Sequence, residues 1–195
     1  MKSAVRHKKV KANDNVGEMG VVTFTTYEID SPRAIEIDQE LKDAVLMPPE
    51  RYHALKAELA RICKVKNTVK HNMCVKVGRS IVAARLGGDT TYTGIINYGA
   101  AGTSTTAVAD SDTQLGAEVK RKAIATRTVV GDQVNLEVYF SKGDVSGTLQ
   151  EFGLFIDGTT TANTGVMFNR LLTGGWSKSS AEALTASIQI NINKA

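Results

Sequence analysis

Hydrophobic and polar positions follow two different periods along this chain. In "PPERYHALKAELARICKV" (48–65), Tyr52, Leu55, Leu59 and Ile62 recur at i, i+3, i+7 and i+10, the spacing of a single helical stripe. Glu50, Arg51, Lys56, Arg61 and Lys64 fill the opposite side, so this helix is expected to pack on one face only. Pro48 and Pro49 suit its N-terminus. A second helix is expected within "HNMCVKVGRSIVAARLGGD" (71–89), with Asn72 as cap, Met73, Val77, Ile81 and Ala84 along one face, and Gly87-Gly88 as its stop. Upstream, "MGVVTFTTYEID" (19–30) is rich in β-branched and aromatic residues and predicts one strand.

From about residue 92 the period falls to two. "QVNLEVYF" (133–140) sets Val134, Leu136, Val138 and Phe140 against Gln133, Asn135, Glu137 and Tyr139, the alternation of a strand with one buried face. "ALTASIQINI" does the same near the C-terminus, with Leu184, Ile188, Ile190 and Ile192 against Ser187, Gln189 and Asn191. Gly131-Asp132 reads as a tight hairpin turn, and Gly143-Asp144, Asp157-Gly158, "GTTTANTG" and Gly174-Gly175 supply further turns. The polar stretch "GAAGTSTTAVADSDTQLG" (99–116) is too long for a hairpin and is expected to be a crossing loop. Short loops imply antiparallel neighbours. The pattern therefore predicts a mainly β (α+β) chain: an antiparallel β-sandwich, jelly-roll-like rather than a barrel, with an N-terminal extension carrying two helices. The expected division is a basic arm and extension with one strand (1–47), a helical segment (48–88) and the β-sandwich domain (89–195).

Composition changes this picture little. With 195 residues, 42% hydrophobic and 23% charged, the chain has the make-up of a globular protein. No run approaches the roughly 18–20 apolar residues that span a bilayer, and no apolar core follows the basic N-terminus, so neither an anchor nor a signal peptide is expected. Cys63 and Cys74 are too few for a disulfide framework, and two free thiols are expected.

Charge is more informative, because the net +4 is unevenly spread. Residues 1–87 carry 16 Lys plus Arg against 10 Asp plus Glu (+6), and residues 88–195 carry 8 against 10 (−2). Lys2, Arg6, Lys8, Lys9 and Lys11 occur together with no acid among them. They are candidates for an anionic partner, nucleic acid or an acidic protein surface. No aromatic residue is interleaved to stack bases, which favours a solvated arm over a nucleic-acid binder.

Candidate chemistry centres on "LQEFGLFIDG" (149–158), where Glu151 interrupts an apolar run. Period-2 geometry puts Phe152, Leu154 and Ile156 on one face and Glu151, Gly153 and Phe155 on the other. A catalytic carboxylate needs a neighbour that moves its pKa. Glu137 is the one partner considered, as in the paired carboxylates of sugar hydrolysis. Two carboxylates on a solvated sheet face are the plainer reading, and no catalytic residue is assigned. Phe155 beside Glu151, with Tyr139 on the same nominally outer surface, implies that something covers this wall, and a subunit contact is expected there. Trp176 is a sugar-stacking platform or, more conservatively, an interface anchor. His53, Cys63, His71 and Cys74 lack the paired short spacings of structural zinc. No nucleophile elbow or phosphate-binding loop occurs. Neither metal nor cofactor is expected.

The order of pieces in the C-terminal half carries a resemblance. Gly102 to Ala107 ("GTSTTA"), Asp112 to Glu118 ("DTQLGAE"), an alternating strand ending in aromatics, Glu151 to Phe155 ("EFGLF"), Arg170 to Leu172, and the turn and closing strand from Lys178 to Leu184 follow one another. This succession, over about residues 72–192, resembles a β-sandwich module of virion structural proteins of tailed bacteriophages. The resemblance implies a non-enzymatic component of the tail, neck or baseplate that docks neighbouring subunits or fibres. Its partners would be copies of itself, in a trimer or a ring, and other virion proteins. Its location would be the virion, assembled in the host cytoplasm. A capsid decoration protein and a receptor or sugar-binding tail module are the alternatives. Under this reading Glu151 is structural, accepting from backbone donors of a neighbouring loop or pairing with Arg170 or Arg127.

Overall fold

A computed structural model describes residues 18–192. Eight strands and three α-helices follow in the order β1 (Glu18–Glu28), α1 (Pro32–Leu41), α2 (Pro49–Ile62), β2 (Val65–Cys74), α3 (Lys76–Leu86), β3 (Ile96–Gly102), β4 (Glu118–Val130), β5 (Gln133–Phe140), β6 (Gly147–Ile156), β7 (Val166–Lys178) and β8 (Glu182–Asn191), with a short 3-10 turn (Ala44–Leu46) between α1 and α2. Around the sheet the strands run β1-β2-β7-β6-β3-β4-β5-β8 and return to β1, with every pairing antiparallel.

This is a closed barrel, not the expected jelly-roll-like sandwich. Closure depends on β1, which pairs with β2 on one side (Phe24 opposite Thr68) and β8 on the other (Phe24 opposite Ala186). Alternation predicts which face of a strand is buried, and that face looks the same whether a sheet stacks on a second sheet or curls onto itself. Of the inner positions predicted from the pattern, Leu136, Val138, Phe140, Phe152, Leu154, Ile156, Leu184, Ile188 and Ile190 join Val22 and Phe24 of β1 in one interior cluster, Val134 packs partly buried against it, and Ile192, just past the end of β8, is exposed instead. Phe24 and Phe152 meet edge to face across it, at 5.4 Å between centroids.

Two sequence expectations fail along residues 65–102. The stretch 65–74 is strand β2, and the helix behind it begins only at Lys76. Asn72 is thus a buried strand residue, and Val75 takes the N-cap position. The start of the expected crossing loop is strand β3, so the loop proper is 103–117. Helix α1, unforeseen, has clear local causes: Ser31 caps it by accepting from the Ala34 amide at 3.2 Å, Pro32 sits in its first turn, and Ala34, Ile37 and Leu41 are buried.

The segments drawn from residues 18–88 do not stand apart from the rest. β1 and β2 are staves of the same barrel as β3 to β8. Helices α1 and α2 lie on the outer wall, where Ile37, Leu41, Tyr52, Leu55 and Leu59 pack in one cluster with Tyr27, Tyr139 and Ala183. α3 lies against β7, and so closely at Gly78 that a Cβ there would stand 2.4 Å from the Phe168 carbonyl oxygen.

Candidate functional site

Glu151 lies on the outer side of β6, as its parity predicts, yet it is fully buried. The cover is the chain's own loop 103–117. Glu151 Oε1 accepts from the backbone amides of Ala117 at 2.8 Å and Ser104 at 3.3 Å, and Oε2 from Gly116 at 3.0 Å. From β7, Arg170 adds Nε at 2.9 Å and Nη2 at 2.8 Å to the same Oε2. The two carboxylate oxygens thus accept from five N–H donors, three of the loop backbone and two of Arg170.

Arg170, 2% exposed, continues the chain of pairing. Its Nη1 donates to Asp112 at 2.8 Å and its Nη2 to the Thr106 carbonyl at 3.1 Å, so both anchor points lie in the loop. Burial works against the Arg170 charge, but its bonds to Asp112 and Glu151 prevail and raise its pKa above the usual arginine value. Further along, Arg79 of α3 pairs with Asp110 at 2.8 Å. Gly102 makes room for the arrangement: a Cβ there would stand 2.4 Å from Glu151 Oε1. Between them, "GTSTTA" and "DTQLGAE" supply the amides and the aspartate that strap the loop to the barrel.

Phe155 is also covered from within. It packs with Val75, Ala100, Leu115 and Met167, and the Arg121 guanidinium lies 4.7 Å from its ring centroid. Arg121 is held in turn by Glu118 at 2.6 and 2.7 Å and by the Thr164 carbonyl at 3.0 Å. Tyr139, 1% exposed, lies beneath the helices, where its hydroxyl donates to Asp38 Oδ1 at 2.8 Å. Burial and the Asp38 charge push the Tyr139 pKa far above that of a free phenol. The subunit contact expected around Tyr139, Glu151 and Phe155 is therefore corrected: helices α1 and α2 and loop 103–117 of the same chain fill that role.

Trp176 likewise offers no stacking platform. It is half-buried and packs against the barrel core from one mouth, with its indole Nε1 inside and lacking an acceptor among the described residues. Glu137 does not approach Glu151, because β4 and β3 separate β5 from β6. It pairs instead with Lys56 of α2. His53 and His71 are exposed on α2 and β2, and both cysteines are free. Cys74 is buried with its Sγ 3.2 Å from the Phe168 carbonyl, and burial lifts its pKa to about 11, which leaves the thiol protonated and inert at neutral pH. Among the described residues no three His, Cys, Asp or Glu side chains gather as metal ligands, and no helix is long and apolar enough to cross a membrane. Lys2, Arg6, Lys8, Lys9 and Lys11 lie outside the described residues.

The chain matches no protein-family model, no curated protein and no solved structure. Pattern alone missed the Asp38–Tyr139 bond and the Arg121 clamp. Of the partners that the resemblance implied for Glu151, the loop amides and Arg170 are present, whereas Arg127 donates to the Ile96 carbonyl instead.

Proposed function

We propose that this chain is a structural component of a tailed-phage virion, a rigid barrel that docks neighbouring subunits or fibres in the tail, neck or baseplate. The observation that carries a structural rather than catalytic reading is Glu151: its oxygens are taken up by three loop amides and one arginine of the same chain. A carboxylate so engaged has no oxygen left to shuttle a proton or attack a substrate. The interior is equally occupied, packed with aliphatic and aromatic side chains where ligand-binding barrels keep a cavity. The assignment to a virion comes from the succession of sequence pieces from Gly102 to Leu184, and two of those pieces are the strap that Glu151 and Arg170 fasten.

The test is assembly. Purified full-length chain, examined by light scattering and negative-stain microscopy from micromolar to hundred-micromolar concentration, is expected to form a closed oligomer or regular polymer. Co-purification with particles of the phage that encodes it is the companion measurement. A monomer at every concentration that is also absent from particles would overturn the reading. The N-terminal segment is tested by deleting residues 1–17, which leaves every stave in place, because a longer deletion of residues 1–50 would remove β1 and with it barrel closure.

A further inference from the structure

The barrel is closed by unequal joints. β1 pairs with β2 from Glu18 opposite Met73 to Tyr27 opposite Val65, and β6 pairs with β7 over a similar length. β2 meets β7 only at Met73 opposite Arg170 and Cys74 opposite Asn169. Continued in that register, Val65 would lie opposite Lys178, yet residues 65–72 and 171–178 form no ladder with each other. The cause is in β7: against the single residue 150 of β6 it sets residues 173–175, and Gly174 and Gly175 have φ of 76° and 87°. This bulge bends the end of β7 out of line with β2.

Two strand edges thus face each other with backbone donors and acceptors not used by the ladder, the template for adding a further strand. Side chains at the seam specify what kind. Residues 64–72 and 171–178 contain Lys64, Lys66, Lys70, His71 and Lys178 and no Asp or Glu. Lys64 pairs with Glu28 and Lys66 with Glu182, while Lys178 donates to the carbonyls of Val145, Lys142 and Ser179. Lys70 is left with no carboxylate among the described residues, and its Nζ hangs in the seam, 3.1 Å from where a Cβ on Gly174 would stand. Trp176, two residues on, keeps a buried Nε1–H with no acceptor among the described residues. Beyond the Val65 end of β2, Glu28, Lys64, Val65, Lys66, Ser179, Ala181 and Glu182 border a cleft of about 540 Å³, where both carboxylates are already paired with Lys64 and Lys66, which leaves Lys70 as the cation open to a partner.

The geometry points to the β2–β7 seam as a binding site for an extended acidic segment of another polypeptide, which adds as a strand and brings a carboxylate to Lys70. Main-chain bonds to residues 65–72 and 171–178 hold the strand, and the unpaired ammonium selects its charge. This holds whether or not the chain belongs to a virion.

Trp176 is the sole tryptophan and so reports on the seam directly. Full-length protein is titrated with an alternating Thr–Glu decapeptide and, in parallel, a Thr–Lys decapeptide, following Trp emission and amide hydrogen exchange. Without peptide, amides on the open sides of residues 66–72 and 171–178 should exchange faster than those of β8. The Thr–Glu peptide should slow them and shift Trp emission, while the Thr–Lys peptide and a Lys70→Glu variant should each bind at least tenfold more weakly. Equal binding of both peptides, binding of neither, or protection confined to other strands would overturn the proposal. So would seam protection in the protein alone that rises with its concentration, which would give the site to a second copy.

Discussion

Two stretches of outer barrel wall are both covered by the chain itself, but by different physics. Over β1, β8 and β5 the cover is helical and apolar: Ile37, Leu41, Leu55 and Leu59 are buried there, with the Tyr139–Asp38 bond the principal polar contact. Over β6 and β7 the cover is a loop with few apolar side chains, fastened by Glu151, Arg170 and Asp112. The first wall rests on area removed from water, so its strength is divided among many small increments. The second concentrates its strength in one buried carboxylate. Such pairs add little net stability over an apolar substitute, but breaking one leaves a charge with nowhere to go. Loop position is therefore specified sharply on one wall, and helix position diffusely on the other.

The contrast is broken most severely at Glu151. Glu151→Ala leaves Arg170 with only Asp112 and the Thr106 carbonyl and strands three loop amides, so a loss of about 3–5 kcal/mol in urea unfolding is expected, with fast hydrogen exchange across 103–117. Glu151→Gln keeps the shape but removes the charge and turns an amide donor towards donors, and should lose somewhat less. Leu59→Ala beneath the helices should cost about 2–4 kcal/mol and leave exchange in loop 103–117 unchanged. If both variants loosened both walls alike, the two covers would not be separate devices.

A smaller, pH-dependent effect belongs to the turn after β5. Asp144 is drawn down to about 2 even though burial opposes it, because Lys122 at 2.9 Å and Lys120 at 3.1 Å favour its charge. A carboxylate whose pKa is lower folded than unfolded stabilises above the unfolded value, near 3.8, and loses that contribution as pH falls towards 2. Unfolding free energy should drop by roughly 2 kcal/mol over that window, and Asp144→Asn should flatten that part of the profile.

How far the sequence reveals each wall follows from the same contrast. Helix α2 was legible because Tyr52, Leu55 and Leu59 repeat within one local element, and the inner faces of β5, β6 and β8 were legible because alternation is local too. Loop 103–117 was legible only as polar and long. Its burden is carried by partners far apart in sequence, such as Thr106 and Asp112 with Arg170. Glu151 and Phe155 looked like outward residues needing a partner molecule because parity gives a face but not what lies over it. Barrel closure was invisible for a related reason: it rests on β1 and β2, whose register against β8 and β7 no local period encodes. β2 was also misread, since "HNMC" runs directly into the helix-forming "KVGRSIVAARL" and carries no turn residue at the junction.

The smallest expected effect tests the helical wall at its one local anchor. Ser31 Oγ accepts from the Ala34 amide, satisfying one of the donors a helix leaves open at its start, while Pro32 presets the backbone of the first turn. Ser31→Ala removes the acceptor without disturbing Pro32 or the apolar face. It should cost about 1 kcal/mol, a melting shift of about 2–4 °C for a chain of this size. Because Ile37 and Leu41 still bury the helix, the loss should appear as faster exchange at the start of α1 and not as release of the wall. A loss several times larger, with exposure of Tyr139, would mean that the helical cover also hangs on a single point, and the distinction between the two walls would then be one of chemistry alone.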